Sequence, residues 1–224
     1  MQDRARTTRR SLLEAAAHLF VERGYVGTSV NDISARSGKT SGAVYFHYSS
    51  KEKLALAVVR ERFAAWPHLA AYCATPDVPP LERLVALSFE VARVLCQDVV
   101  ARAGARLWAE RRSIDAVVPT PFAAWTAATT RLLADARSRK ELAEEIEPAG
   151  AAPALVGAFF GLYSLSDEVA GEEELAARLD QSWRLVLNTL QARPDPVGLI
   201  ARARARLPAE GPLARGGHWA GSGR

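Results

Sequence analysis

Two short helices, each opened by a capping residue and joined by a glycine turn, lie between residues 28 and 48 and narrow the fold more than any other stretch. Ser29 with Asp32 three residues later reads as a capping box, Val30 and Ile33 face inward, and Gly38 ends this first short helix after about two turns. Past the Ser37-Gly38 turn, Thr40 is placed to cap a second helix carrying Ser41, Gly42, Ala43, Val44, Tyr45, Phe46 and His47. A helix expected over Thr8 to Arg23 precedes them, with Leu12, Leu13, Ala16, Leu19 and Phe20 on its inner face and Gly24 as its C-terminal cap. Ser49 and Glu52 read as another S-x-x-E capping box, opening a longer helix in which Val59, Phe63 and Trp66 recur until Pro67.

Apolar residues recur at helical spacing through the rest of the chain, with no convincing period-two alternation, so the expected fold class is all-α. Helical stretches are expected near residues 81–97, 99–112, 121–140, 149–169 and 173–191, with a loop or short helix between Pro67 and Pro80. Three segments follow from this: a helix-turn-helix domain over 1–50, a larger helical domain over 51–192, and a basic Pro/Gly/Arg-rich tail over 193–224. That tail is expected to be partly disordered, with a short helix around Leu199 to Leu207. Charge divides along similar lines. Residues 1–53 hold nine Lys/Arg against five Asp/Glu, residues 54–191 fourteen against eighteen, and residues 192–224 six against two. A basic end joined to an acidic middle suits a chain that sets one end on a polyanion. No window approaches the roughly 20 apolar residues that cross a bilayer, and MQDRARTTRR lacks the apolar run of a signal peptide, so the expected location is cytoplasmic with no membrane partner. Cys73 and Cys96 have no second C-x-x-C or histidine cluster beside them; they read as buried thiols, with no metal and no cofactor implied.

The capped pair meets the needs of major-groove reading. The groove is about 12 Å wide and admits one helix, so the leading end of that helix must be small for its backbone to come close. Thr40, Ser41, Gly42 and Ala43 meet that condition. Helix N-termini bind phosphate, and Lys39, Lys51 and Lys53, three of the four lysines in the chain, sit at the first turns of two helices.

The run G-Y-x-x-T-S-V-x-D-I followed by S-G-K-T-S-G-A-V-Y-F-H-Y-S-S-K-E-K-L resembles the signature of TetR-type transcriptional repressors. The resemblance implies that Tyr45 and His47 touch the DNA backbone and that Phe46 anchors the unit to the first helix. Thr28, Ser29, Lys39, Thr40, Ser41, Gly42, Ala43, Tyr45, His47 and Lys51 then make up the DNA-facing set. Family members often carry Lys after the capping Thr; this chain has Ser41 there and Lys39 two positions earlier.

A second, narrower resemblance lies in RAGARLWAERRSIDAVVPTPFAAWTAATTRLLADA, which is similar to the γ-butyrolactone autoregulator receptors of actinomycetes, including their furan- and butenolide-sensing relatives. Their P-x-x-x-W segment implies that Trp125 forms a ligand wall. Trp108, Phe122, Phe89, Val85, Trp66, Phe63, Thr129, Phe159, Phe160 and Tyr163 are the candidates to close a cavity around it. Spacing alone leaves this open, because an aromatic stripe is more often core. Arg106 and Glu110, one turn apart, read as a surface pair or, if the ligand carries a carboxylate, as its partner. Leu155, Val156, Phe159, Leu162, Leu179, Trp183, Val186 and Leu190 supply apolar surface for a four-helix contact with a second copy. One short recognition helix reads few base pairs, so a homodimer on a pseudo-palindromic operator is expected. No G-x-S-x-G or H-E-x-x-H is present, and His18, His47, His68 and His218 share no catalytic spacing, which argues against an enzyme. The implied function is a repressor of secondary-metabolite genes, released from DNA by a γ-butyrolactone, butenolide or furan-type signal. The alternatives are a pseudo-receptor answering to an antibiotic or another ligand, and a TetR-type regulator of an efflux or metabolic gene.

Overall fold

The structure, a computed structural model, describes residues 2–64, 77–119, 122–166 and 172–207. Ten α-helices lie within them: α1 (Gln2–Arg23), α2 (Val30–Ser37), α3 (Ser41–Tyr48), α4 (Lys51–Ala64), α5 (Pro80–Gln97), α6 (Val99–Ala109), α7 (Phe122–Ser138), α8 (Pro148–Ser166), α9 (Glu172–Leu190) and α10 (Pro196–Ala205). A 3-10 turn covers Arg111–Ser113, and strand pairing among the described residues is a single bridge between Leu142 and Gln191. The chain is all-α, as its periodicity implies. None of the described helices is long and apolar enough to cross a membrane.

The chain divides into two compact units, Met1–Pro67 with Leu95–Pro121, and His68–Val94 with Phe122–Arg224. In the first, α1 to α4 pack together with α6. Leu12, Ala16 and Phe20 of α1, Ile33 of α2, Val44 and Tyr48 of α3, Leu54 and Val58 of α4, and Ala103 and Leu107 of α6 form one core. Each short helix contributes only one or two fully buried side chains, so its stability comes from this shared core rather than from its own hydrogen bonds.

Two local expectations change. α1 begins at Gln2, not Thr8. The apolar pattern starts at Leu12, so periodicity carries no signal for the first turns; Asp3 sits favourably in the first turn, and the Thr7 hydroxyl donates to the Asp3 carbonyl at 2.9 Å. The cap of α4 is Ser50, not Ser49. Ser49, at φ +64°, ends α3 by donating its N–H to the Tyr45 carbonyl, and the Ser50 hydroxyl accepts from the Lys53 N–H at 3.2 Å. Glu52 therefore closes no capping box; its carboxylate accepts from the Tyr25 hydroxyl at 2.8 Å.

In the second unit α7 packs on α8, and α9 on α8 and α10. Glu82 of α5, 2% exposed, takes ion pairs from Arg202, at 3.3 Å, and from Arg206. Asp195 caps α10 by accepting from the Gly198 N–H at 3.0 Å, with Pro196 at the first helical position, where its missing N–H costs nothing. The short helix expected at 199–207 is thus present, three residues earlier. Of the apolar residues assigned to a contact between copies, Val156, Leu179, Trp183 and Leu190 are buried within this unit. The exposed face of α8 is instead Pro153, Ala154, Gly157, Ala158, Gly161 and Ser164, and α9 exposes Leu185. Cys96 is half-buried, and Cys73 lies outside the described residues.

Candidate nucleic-acid interface

The end of α1 fixes where the short helices begin. Gly24 takes φ +72° and donates its N–H to the Phe20 carbonyl at 3.0 Å. The next residue, Tyr25, gathers contacts from two helices. Its N–H donates to Glu110 Oε2 of the α6 cap at 2.6 Å, and its hydroxyl to Glu52 of α4. Its ring lies 4.1 Å from Lys51 Nζ, and its carbonyl accepts from the same ammonium at 3.0 Å. Burial first, and then the Glu52 carboxylate, push the Tyr25 phenol well above its usual range. Glu52 is held below the usual carboxylate range, chiefly by the Ser50 hydroxyl and its own backbone N–H, with the Tyr25 hydroxyl adding to them.

Lys51 also donates to the Thr28 carbonyl at 3.0 Å, so its ammonium is tied to the turn ahead of α2. Thr28 is 1% exposed and its hydroxyl donates to the Gly24 carbonyl at 2.8 Å. Ser29 completes the capping box: its hydroxyl accepts from the Asp32 N–H, and the Asp32 carboxylate accepts from the Ser29 N–H at 2.9 Å. The Ser29 hydroxyl, which also donates to the Asp32 carboxylate at 2.5 Å, and then the Ser29 N–H hold Asp32 below its usual range. Gly38 at φ +63° turns the chain, the Ser34 hydroxyl donates to the Lys39 carbonyl at 2.5 Å, and Thr40 caps α3 by accepting from the Ala43 N–H at 3.2 Å. The Ser41 hydroxyl donates to Asn31 Oδ1 at 3.1 Å, joining the leading end of α3 to α2.

On α3, Val44 and Tyr48 point into the core, while Gly42, Tyr45 and Phe46 are exposed and Ser41, Ala43 and His47 are half-buried. Lys39 is exposed ahead of the helix. Phe46 does not anchor the unit to α1: it is 82% exposed, its ring edge-on to His47 at 5.1 Å. Tyr48, two positions on, holds that place, buried with its hydroxyl donating to the Arg9 carbonyl at 2.8 Å. The helical step explains the exchange: 44 and 48 are i and i+4 on the inner face, whereas 46 falls on the opposite side. A β-carbon added at Gly42 would meet only Thr40 Oγ1, at 3.7 Å. Packing within the chain does not demand glycine there.

The residues assigned to an effector divide between the units. In the first, Trp108 of α6 is half-buried with the Arg111 guanidinium 4.0 Å over its ring; Phe63 lies in α4 with its side chain outside the described residues, and Trp66 is wholly outside them. In the second, Trp125 and Phe122 of α7 meet Phe159 and Phe160 of α8. Trp125 stacks at a tilt on Phe160 at 5.0 Å, and Phe122 meets Phe160 edge-on at 4.4 Å. All four rings are half-buried, while Thr129 and Tyr163 on these helices and Val85 and Phe89 on α5 are buried. Arg106, weighed as a ligand partner, is occupied otherwise: it pairs with Glu110 at 2.9 Å and donates to the Val21 carbonyl at 2.6 Å. Sequence reading missed the role of Tyr25 and Glu110, although the Gly-Tyr pair after the helix cap was the available signal.

Known proteins with this arrangement regulate transcription. The family described as bacterial regulatory proteins, tetR family, matches residues 12–58, and the tetracyclin repressor-like C-terminal domain matches residues 78–192. The A-factor receptor protein of Streptomyces griseus is 32% identical over 225 residues, covering 96% of this chain and 78% of that protein. A solved structure reported as the molecular basis for control of antibiotic production by bacterial hormones is 41% identical, with a TM-score of 0.76, and covers 83% of this chain and 98% of its own. A γ-butyrolactone receptor structure is 30% identical, with a TM-score of 0.77, over 91% of this chain and 98% of its own. A TetR family protein from Streptomyces coelicolor, in complex with its biological operator sequence, is 30% identical with a TM-score of 0.78, over the same shares of both chains.

Proposed function

Because the chain belongs to the TetR family of bacterial transcriptional regulators and is not an enzyme, we propose that it is a homodimeric repressor of secondary-metabolite genes, released from operator DNA by a γ-butyrolactone, butenolide or furan-type signal. The observation that carries this reading is the 32% identity to the A-factor receptor protein across 96% of the chain. The structures reported for antibiotic control by bacterial hormones and for a γ-butyrolactone receptor support it.

α3 lies in the major groove in this reading. The exposed Gly42 lets the backbone come close, Tyr45 and His47 take phosphates, and Lys39, Thr40, Ser41 and Ala43 face the groove's leading edge. Thr28 and Lys51 act one step back, because their polar groups are held by backbone carbonyls and set the entry to α2. The two copies meet along the small-residue face of α8 and Leu185 of α9, where glycines and alanines allow close helix approach. Trp125, with Phe122, Phe159 and Phe160, forms the aromatic wall of the effector site; Thr129 and Tyr163 supply its orienting polar groups.

Titration of γ-butyrolactone, butenolide and furan-type signals against the protein bound to its operator tests the reading. Release by one of the three is expected, and release by none would remove the receptor function. The Trp125→Ala protein should still bind operator but no longer respond to the active signal.

A further inference from the structure

The first turns of α1 carry Arg4, Arg6 and Arg9, all exposed, and none of the three pairs with a carboxylate among the described residues. Their neighbour Arg10 differs, since it is bound to Glu14 at 2.6 Å and Glu61 at 3.2 Å. Arg6 and Arg9 are i and i+3 on one face, and Arg4 lies on the preceding turn. Two contacts place this turn beside the far end of the recognition helix: the Tyr48 hydroxyl donates to the Arg9 carbonyl at 2.8 Å, and the Arg9 guanidinium lies 5.5 Å from the centre of the Tyr48 ring. Tyr48 follows His47 directly, so the arginines begin where the phosphate contacts assigned to α3 end.

We propose that Arg4, Arg6 and Arg9 form a second phosphate-binding surface, which grips the backbone of the same DNA duplex outside the groove that α3 enters. The inference rests on the DNA-binding reading of α3. Packed helices lie about 8–10 Å apart and the major groove is about 12 Å wide. When α3 occupies the groove, a helix packed beside its end has no room to enter and stands over the groove wall, where the phosphates are. Three uncompensated guanidinium groups at that position meet a line of negative charge, and Arg is the side chain best suited to bind phosphate through two donors at once.

The test is the salt dependence of binding by the full-length protein, on a duplex selected from a random pool and on a random-sequence 30-base-pair duplex. In a dimer, R6Q/R9Q removes four phosphate contacts, so the slope of log K against log salt should become shallower by about 3 to 4. Affinity near 0.1 M salt should fall about 100-fold or more on both duplexes, leaving their ratio unchanged. R6K/R9K keeps the charge and should restore most of the slope. R4Q/R6Q leaves Arg9 over Tyr48 and should flatten the slope similarly with an unchanged unfolding midpoint, which covers the case in which R6Q/R9Q folds poorly. A slope unchanged in R4Q/R6Q while wild type binds would overturn this inference alone. A wild-type protein that selects no duplex would overturn the DNA-binding reading and this inference with it.

Discussion

The Glu110 carboxylate accepts the backbone N–H of Tyr25 at 2.6 Å, so the end of α6 grips the turn from which the helix pair starts. The same carboxylate holds Arg106, which reaches the Val21 carbonyl, and it lies 2.6 Å from where a β-carbon at Gly24 would stand. Glu110→Ala leaves the Tyr25 N–H without its acceptor and should cost about 1–3 kcal/mol, or about 2–10 °C in the unfolding midpoint. Glu110→Gln retains an acceptor oxygen and should recover part of that loss. Calorimetry of the two variants checks the order; equal midpoints for Ala and wild type would refute it.

Tyr25 and Glu52 set opposite ends of a pH plateau. Glu52 titrates below its unfolded value, so its contribution is present above about pH 4.5 and is lost as pH falls through the folded value. Tyr25 titrates above its unfolded value, so its contribution is present below about pH 10 and is lost as pH rises beyond it. Tyr25→Phe should lower stability by about 1–2 kcal/mol at neutral pH, through the lost bond to Glu52. It should also reduce the further loss above pH 10. Burial raises Tyr48 as well, so part of the alkaline loss should persist. Denaturant midpoints at pH 7 and pH 10.5 measure both effects.

At Gly42 stability and binding should move in opposite directions. Alanine fits there without a clash and is the better helix former, in this first turn by less than the roughly 1 kcal/mol of a helix interior. Gly42→Ala should therefore raise the unfolding midpoint while weakening operator binding, because the added methyl stands between backbone and groove. Tyr45→Ala with His47→Ala should instead weaken specific and random duplexes alike, about 10-fold or more, since phosphates carry no sequence. Binding isotherms on both duplexes separate the two patterns.

Glu82 makes the docking of α10 asymmetric with respect to substitution. Removing Arg202 and Arg206 together leaves a carboxylate that is 2% exposed without its cations, at a cost of about 3–5 kcal/mol. Glu82→Leu leaves Arg202 its pair with Asp195 at 3.3 Å and leaves Arg206, half-exposed, to water, so it should cost less. Thermal melts of the double variant and the leucine variant decide this, and the reverse order would show that the pair does not set the docking.

The elements most legible in the sequence are those with local chemical marks. The Ser29–Asp32 box, the Gly38 turn and the Thr40 cap stand where capping rules put them, because each depends on residues three or four apart. The S-x-x-E pattern points to Ser49, since only Ser49 has a glutamate three residues on, but the left-handed backbone at Ser49 leaves it as the end of α3 and passes the cap of α4 to Ser50. Phe46 differs for another reason: its place against α1 is implied by the family resemblance alone, whereas its helical phase sets it opposite Val44 and Tyr48. The grip of Glu110 on Tyr25 spans 85 positions, and no local pattern encodes such a distance. The ring cluster around Trp125 became visible through its family likeness, since spacing does not separate a wall from a core.

The place of α6 bears on how this protein can be taken apart. Its sequence belongs to the stretch matched by the C-terminal family, yet Ala103 and Leu107 complete the core around α1 to α4. A reading head excised at the family boundary would expose that core and lose the Glu110 grip as well. The smallest portable head is discontinuous, and a chimera that exchanges operator preference between relatives should carry α6 together with the helices it supports.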